Sequence, residues 1–373
     1  MFKRVSNILF YNKIRMSQIL MEKKNINEFI NKKIDIPELV KEKNIKEIEL
    51  SNPTKLSNHL KERNNIFLEN FELLELIGEG SESYVYKIKI KKNQKIVTCK
   101  IVKREMGKGN LTEYNISKKL KNKNIINIYG DASLIEGELD CLMMEYAKYG
   151  NLRDFQTKVL KRKVLSESLL CYIAYQVLNG LKFMHMNKIA HFDLKPQNLI
   201  IDEFLNIKII DFSVSINYRN INKKTIKLPF RGTKFYIPPE VINKETIKVN
   251  DLNKIDLYSL GVVLYHLAFG NYPYNLLYED SNDYDKIYKK VMKDWEINEK
   301  NDFSLYFIDF LKKLLSNDIN KRININDAMN HYWIKGADIL FDEREKTFNA
   351  NSFLIFLMTD SIKSFNNYLG KKI

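Results

Sequence analysis

The sequence predicts an α+β fold in two parts, strands first and helices after. Apolar and polar residues alternate over 84–90, the period-two pattern of a half-buried strand, and the short runs 71–77, 96–100, 125–133 and 139–144 read as further strands. From Ser166 to Met186 the period changes: Leu169, Leu170, Ile173, Val177, Leu178 and Leu181 fall on one side of a long helix, with Ser166 placed as its N-cap. A second apolar helical run follows at 256–263, and at 373 residues the chain is long enough for a sizeable core.

The two ends differ from the middle. Residues 1–21 hold Lys3, Arg4, Lys13 and Arg15 and no acid, with apolar patches at 8–11 and 19–21. This is the composition of a basic tail, a targeting segment or a surface-seeking helix. Phe2 is not the glycine that N-myristoylation needs. Residues 22–65 mix Lys, Glu and Asn with Ile and Leu around Pro37 and Pro53, which predicts short surface helices or partial disorder. The expected division is a basic N-terminal extension (1–65), a central domain (66–336, split at 147/148) and a C-terminal tail (337–373). In the tail the apolar stretch 353–358 is expected to form a helix docked on the domain.

The net charge of +15 favours anionic partners: nucleotide phosphates, acidic protein segments, nucleic acid or membrane surfaces. A plainer cause is biased use of lysine on solvated faces. Cys99, Cys141 and Cys171 are odd in number and widely spaced, so neither a metal site nor a disulfide framework is expected. That fits a reducing, cytoplasmic compartment, with nuclear access or organelle targeting by the basic N-terminus left open. No apolar run reaches the length of a membrane span.

The chemistry concentrates in 191–198. Asp193, Lys195 and Asn198 fall on a loop, because Pro196 breaks any helix between them. Asp193 can accept a proton from a hydroxyl, Lys195 can neutralise a phosphoryl oxygen, and Asn198 offers a neutral oxygen to Mg²⁺. That set suits phosphoryl transfer, in which positioning and charge neutralisation dominate. Upstream, Gly78 and Gly80 sit in a turn between two strands, which is a hairpin and not the strand-to-helix turn of a dinucleotide site. Lys100 ends a third strand, and thirteen residues on Glu113 opens an amphipathic run with Ile116 and Leu120 four apart. Downstream come Asp211-Phe212-Ser213, then Gly232-Thr233-Lys234-Phe235-Tyr236-Ile237-Pro238-Pro239-Glu240, the 256–263 helix and Arg322.

In this order the stretches resemble the eukaryotic-type protein kinase superfamily, from the glycine hairpin to His331-Tyr332-Trp333. The resemblance implies a two-lobed protein-kinase-like fold, with a β-rich N-lobe carrying the family's helix αC and a mainly helical C-lobe. It implies ATP and Mg²⁺ as cofactors, with Mn²⁺ as a substitute. Asp193 would be the catalytic base, helped by Lys195. Lys100 would hold the α- and β-phosphates with Glu113 as its partner. Asn198 and Asp211 would ligate metal. The nucleotide site would be lined by Ile77, Gly78, Gly80, Ser83, Val85, Thr98, Lys100, Met144, Glu145, Ala147 and Ile200, and Glu240 would pair with Arg322. The 232–240 segment and the 256–263 helix imply a protein substrate and not a small molecule. Lys195, two residues after Asp193, is the serine/threonine form. Specific nucleic-acid binding is not implied, and a monomer is expected.

Four positions depart from the family pattern: Ser83, Ser117, Phe192 and Ser213. They carry the alternative of a pseudokinase, a nucleotide-binding scaffold or allosteric regulator. Phe192 stands where the family has an arginine that receives an activation-segment phosphate, and Phe cannot pair with a phosphate. Phosphorylation of Thr225 or Thr233 is therefore not expected to be the main switch, while Thr233 is expected to act structurally near Asp193. The segment 214–231 carries Arg219, Lys223, Lys224, Lys227 and Arg231, and neither Asn151 nor His266 is acidic. A substrate with acidic or neutral surroundings is expected.

Overall fold

The structure is a computed structural model. It describes residues 52–62, 67–80, 83–103, 111–135, 139–274, 284–292, 302–347, 349–359 and 363–370. The basic segment 1–21 and most of 22–65 lie outside the described residues, as do Ser81 and Glu82. The chain divides into two compact units, one of Met1–Lys118 with Asn127–Tyr146, the other of Lys119–Ile126 with Ala147–Ile373.

In the first unit, helices α1 (Pro53–Glu62) and α2 (Phe67–Asn70) precede β1 (Phe71–Glu79), β2 (Ser83–Ile90) and β3 (Ile96–Lys103). Helix α3 (Leu111–Ser117), β4 (Ile128–Ile135) and β5 (Leu139–Glu145) follow. The strands form one antiparallel sheet in the order β1-β2-β3-β5-β4. The alternation expected from the sequence sorts its faces. Tyr86, Ile88, Val97, Cys99, Ile101, Cys141 and Met143 point into a core completed by Leu56, Leu60, Phe67 and Phe71. Residues α1 and α2 contribute thus belong to the folded unit. Asn52 Oδ1 starts α1 by accepting the N–H groups of Thr54 and Lys55, both at 3.0 Å, with Pro53 at the first helical position. Strand β4 begins later than the expected Ile125, because Ile125 instead bridges to Ile209 within the second unit.

The expectation of unpaired cysteines needs correction. Cys99 and Cys141 form a disulfide with Cα atoms 5.9 Å apart, and Cys171 remains free and buried. The two are 42 residues apart in sequence, and only the β3–β5 pairing brings them together. The cysteines therefore supply no argument for a reducing compartment.

The second unit is built on α4 (Glu167–Met186). Short strands follow: β6 (Ile189–Ala190), β7 (Leu199–Ile201), β8 (Ile207–Ile209), β9 (Ile216–Asn217) and β10 (Thr225–Lys227). They pair as β6–β9, β7–β8 and β10–β11, where β11 (Thr246–Lys248) follows the short helix α5 (Pro239–Ile242). Then come α6 (Asn253–Phe269), α7 (Tyr284–Val291), α8 (Leu305–Leu314), α9 (Ile325–Asn330) and α10 (Tyr332–Lys335). Helices α4 and α6 are mostly buried, and the polar groups they bury, such as Gln176 and Asp256, are met by hydrogen-bond partners.

The tail forms α11 (Ala337–Lys346), α12 (Ala350–Thr359) and α13 (Lys363–Tyr368). As expected, the apolar stretch docks: Leu354 and Leu357 share a small pocket with Leu169, Ile173 and Leu205. Ser166 does stand at the N-cap of α4, but its hydroxyl does not cap that helix. It donates instead to the Leu357 carbonyl, and Ser168 donates to the same oxygen at 2.7 Å. These bonds satisfy a carbonyl that the end of α12 leaves open. Among the described residues no helix is long and apolar enough to cross a membrane.

Leu60 is fully buried beneath the sheet. Leu60→Ala should destabilise the first unit by about 2–5 kcal/mol, read as a lower urea midpoint. An unchanged midpoint would show that α1 does not belong to the core.

Candidate functional site

The loop after β6 is held from below by one carboxylate. Asp256 on α6, fully buried, accepts the backbone N–H groups of His191 and Phe192 at 2.9 Å each, and contacts His185 Nε2 at 2.8 Å. Phe192 takes φ +68° there, a left-handed backbone that costs a side-chain-bearing residue about 1–2 kcal/mol. Its ring is only 1% exposed. The turn places the Phe192 carbonyl against residue 232, where a Cβ would come within 2.2 Å of that oxygen, and Gly232 itself has φ +93°. Only glycine fits.

His191 links this loop to the next. Its Nδ1 accepts the Asp193 N–H at 3.2 Å and its Nε2 faces the Ile210 carbonyl at 2.9 Å, a pairing that puts the proton on Nε2. Its ring meets Phe212 edge-on at 5.6 Å. Phe212 is fully buried, while Asp211 takes the left-handed turn at φ +65°. Ser213 is exposed and outside the positive-φ residues, so its Cβ is accommodated without strain.

Asp193, Lys195 and Asn198 converge as their spacing implied. The Asp193 Oδ2 atom accepts Lys195 Nζ at 2.8 Å and Asn198 Nδ2 at 2.9 Å. Asn198 Nδ2 also donates to the Asp193 carbonyl at 2.8 Å, which leaves the amide oxygen as the group able to meet a cation. Thr233 completes the cluster: its hydroxyl donates to Asp193 Oδ1 at 2.6 Å and receives Lys195 Nζ at 2.7 Å. Ile210 N donates to the Asn198 carbonyl at 3.0 Å, so Asp211 follows directly from the same cluster. Asn198 and Asp211 are hard oxygen donors of the kind Mg²⁺ takes alongside phosphate oxygens. Among the described residues no three His, Cys, Asp or Glu side chains gather into a metal cluster by themselves.

Glu240 and Arg322 form the expected pair. Arg322 donates from Nη1 and Nη2 to the two carboxylate oxygens at 2.6 and 3.0 Å, and its remaining donors reach the Ser316 and Lys254 carbonyls. The guanidinium lies 4.8 Å from the centre of the Tyr258 ring.

In the first unit, β3 pairs Lys100 with Val85 on one side and Leu142 on the other, and Thr98 with Met144. Val85, Thr98, Lys100 and Met144 therefore share the sheet face opposite the core. Gly78 lies opposite Val85, Ile77 is partly exposed, and Gly80 N closes the hairpin on the Ser83 carbonyl at 2.8 Å. Glu113 lies on α3, but its side chain lies outside the described residues. The Ser117 hydroxyl donates within its own helix to the Tyr114 carbonyl at 3.2 Å. The Glu145 carboxylate accepts Asn127 N at 2.8 Å and Nδ2 at 3.1 Å, and its backbone N–H donates to the Asn127 carbonyl at 3.0 Å. In the second unit, the Ala147 carbonyl accepts Gly150 N at 3.2 Å, and Ile200 sits half-buried on β7.

The β10–β11 ribbon is the one feature of this region that sequence reasoning missed. Its signal was present: Thr225-Ile226-Lys227 and Thr246-Ile247-Lys248 are the same tripeptide, each alternating polar, apolar, polar.

Residues 71–334 match the protein kinase domain family model. The chain belongs to the protein kinase family. It is 30% identical over 279 residues to serine/threonine-protein kinase 4 homolog B of Dictyostelium discoideum, covering 72% of this chain and 24% of that protein. It is 28% identical over 274 residues to an Aurora kinase of the same organism, with 72% and 66% covered. It is 32% identical over 285 residues to calcium-dependent protein kinase 4 of Plasmodium berghei, with 73% and 51% covered. The chain thus spans between a quarter and two-thirds of the length of these relatives. The family works with ATP and a divalent metal ion.

Arg322→Ala would leave the Glu240 carboxylate buried and unpaired. A stability loss of about 3–5 kcal/mol is expected, measured by chemical denaturation. A loss below 1 kcal/mol, about the value of an exposed pair, would show that the pair does not brace the unit.

Proposed function

We propose that this chain is an ATP-dependent serine/threonine protein kinase, with residues 66–336 as its catalytic domain. It transfers the γ-phosphoryl group of Mg-ATP to a protein hydroxyl. The observation that supports this most directly is the Thr233 hydroxyl donating to Asp193 Oδ1 at 2.6 Å. A hydroxyl of the substrate type is already bound by the carboxylate assigned as base, in the geometry proton transfer needs.

Each side chain then has one task. Asp193 would accept the proton of the attacking hydroxyl as its oxygen bonds the γ-phosphorus and the bond from that phosphorus to the β–γ bridging oxygen breaks, with ADP as the leaving group. Lys195, already within 2.8 Å of Asp193 Oδ2, neutralises charge on the transferring group. The Asn198 amide oxygen and the Asp211 carboxylate would hold Mg²⁺, which would supply charge neutralisation for the phosphates. In the first unit, Lys100, with Glu113 as its partner, would hold the α- and β-phosphates, and Ile77, Gly78, Gly80, Ser83, Val85, Thr98, Met144 and Glu145 would contact the nucleotide.

The alternative, a scaffold that binds nucleotide without transferring phosphate, rests on Ser83, Ser117, Phe192 and Ser213. The assembled Asp193–Lys195–Asn198 cluster argues against it. Phe192 bears on regulation instead. Its buried ring offers a phosphate nothing, and the activation segment is tied down by β6–β9 at one end and β10–β11 further on. Order in this segment therefore does not need a phosphate.

Asp193→Asn should lower kcat about 10²–10⁴-fold with folding intact, in an assay with Mg-ATP and a degenerate peptide mixture. Full activity in that variant would remove Asp193 from the role. Thr225→Ala should stay within a few-fold of the parent, and a hundredfold loss would place the switch at that threonine after all.

A further inference from the structure

We propose that the outward face of the β10–β11 ribbon is the docking surface for an acidic, extended segment of the protein substrate. This rests on the kinase function proposed above and names the feature of the substrate that this surface selects.

The register Thr225↔Lys248, Ile226↔Ile247, Lys227↔Thr246 sorts the ribbon into two faces. Ile226 and Ile247 turn inward, while Thr225, Lys227, Thr246 and Lys248 are exposed on the outer face. Lys227 and Lys248 are diagonal neighbours, about 7–8 Å apart by the geometry of an antiparallel pair. Lys223, Lys224 and Lys244 are exposed immediately around the ribbon. Among the described residues none of these five lysines makes an ion pair. Of the nearby acids, Glu240 is buried against Arg322, and half-buried Glu245 accepts the neutral Asn243 amide at 3.1 Å; neither is paired with these lysines. Like charges held together on one face repel, and an anionic occupant relieves that repulsion.

The spacing selects the occupant. Carboxylates at alternate positions of an extended chain stand about 6.5–7 Å apart, close to the separation of Lys227 and Lys248. The backbone favours an extended partner as well. Val249 N donates to the Lys224 carbonyl at 3.0 Å and Leu228 N to the Glu245 carbonyl at 2.9 Å. The main-chain groups of Thr225 and Lys227 consequently point away from β11, to the outer edge of β10, where an added strand can pair. The face itself carries only lysine and threonine, without the aromatic platforms on which single-stranded nucleic acid stacks. Six residues past Lys227 the same segment reaches Thr233, hydrogen-bonded to Asp193, so a segment docked on β10 leads toward the proposed base.

The test uses the full chain and two labelled serine peptides, one with glutamates at alternate positions and one with alanines there. Fluorescence anisotropy at low and high salt reads binding, and phosphorylation of both peptides is followed separately. The glutamate peptide should bind more tightly, lose that advantage at high salt, and bind about tenfold more weakly to the Lys224→Ala/Lys227→Ala/Lys248→Ala variant. Lys227→Arg/Lys248→Arg should retain binding, and thermal melts check that each variant is folded. Equal binding of the two peptides, or unchanged binding in the triple variant, would overturn the proposal. So would a single-stranded DNA of matched charge that binds more tightly than the glutamate peptide and depends on the same lysines. Salt-sensitive binding without phosphorylation of either peptide would leave the docking surface standing and defeat the kinase reading alone.

Discussion

The second unit depends on the buried carboxylate of Asp256. A charge that far from water is tolerated only when its oxygens are met by donors, and three donors from two segments meet it here. Two are the N–H groups of His191 and Phe192, so the carboxylate fixes a backbone turn that Phe192 would not adopt by itself. Everything functional hangs from that turn. The Phe192 carbonyl sets the path of Gly232, which places Thr233 on Asp193. His191 orients Asp193 from one side and packs against Phe212 on the other. A contact in the first turn of one helix thus sets the geometry of two loops that carry the polar cluster.

Charge is distributed unevenly around this frame. Within the second unit Arg322 is paired with Glu240, and Lys195 with Asp193. Outside, on the activation segment, lysines accumulate without acids to balance them. A Lys-rich composition alone would scatter such residues over all faces. Here the register of a two-residue alternation gathers them on one, which gives the net charge a location.

Much of this was legible in the sequence, and what was not has a common cause. The five strands of the first unit's sheet, the long helix, the polar loop and the Glu240–Arg322 pair were foreseen, because each rests on local periodicity or on a motif with a fixed chemical task. The disulfide between Cys99 and Cys141 was not, since strand pairing across 42 residues leaves no local trace. The side-chain target of Ser166 was also missed: an N-cap signal identifies the helix start, but a hydroxyl there can serve a different helix end. The ribbon at 225–227 and 246–248 was overlooked because three-residue strands fall below the length at which alternation stands out. The sequence also showed Phe192 as a departure, but not the β6–β9 and β10–β11 pairings that tie the 214–231 segment by backbone bonds.

The docked tail has a consequence for where this chain can be cut. The kinase match stops at residue 334, yet Leu357 shares its carbonyl with two serines at the head of α4, and Arg344 donates to the Tyr172 hydroxyl at 2.6 Å. A protein ended at the limit of the match would open the apolar groove along α4 to water and strip Ser166 and Ser168 of their acceptor. Exposed apolar ground of that kind draws other molecules together, so such a fragment would be prone to self-association. For this chain the unit of folding extends past the unit of homology, through α12 to α13, where Phe365 is fully buried and Tyr368 stacks on Tyr332.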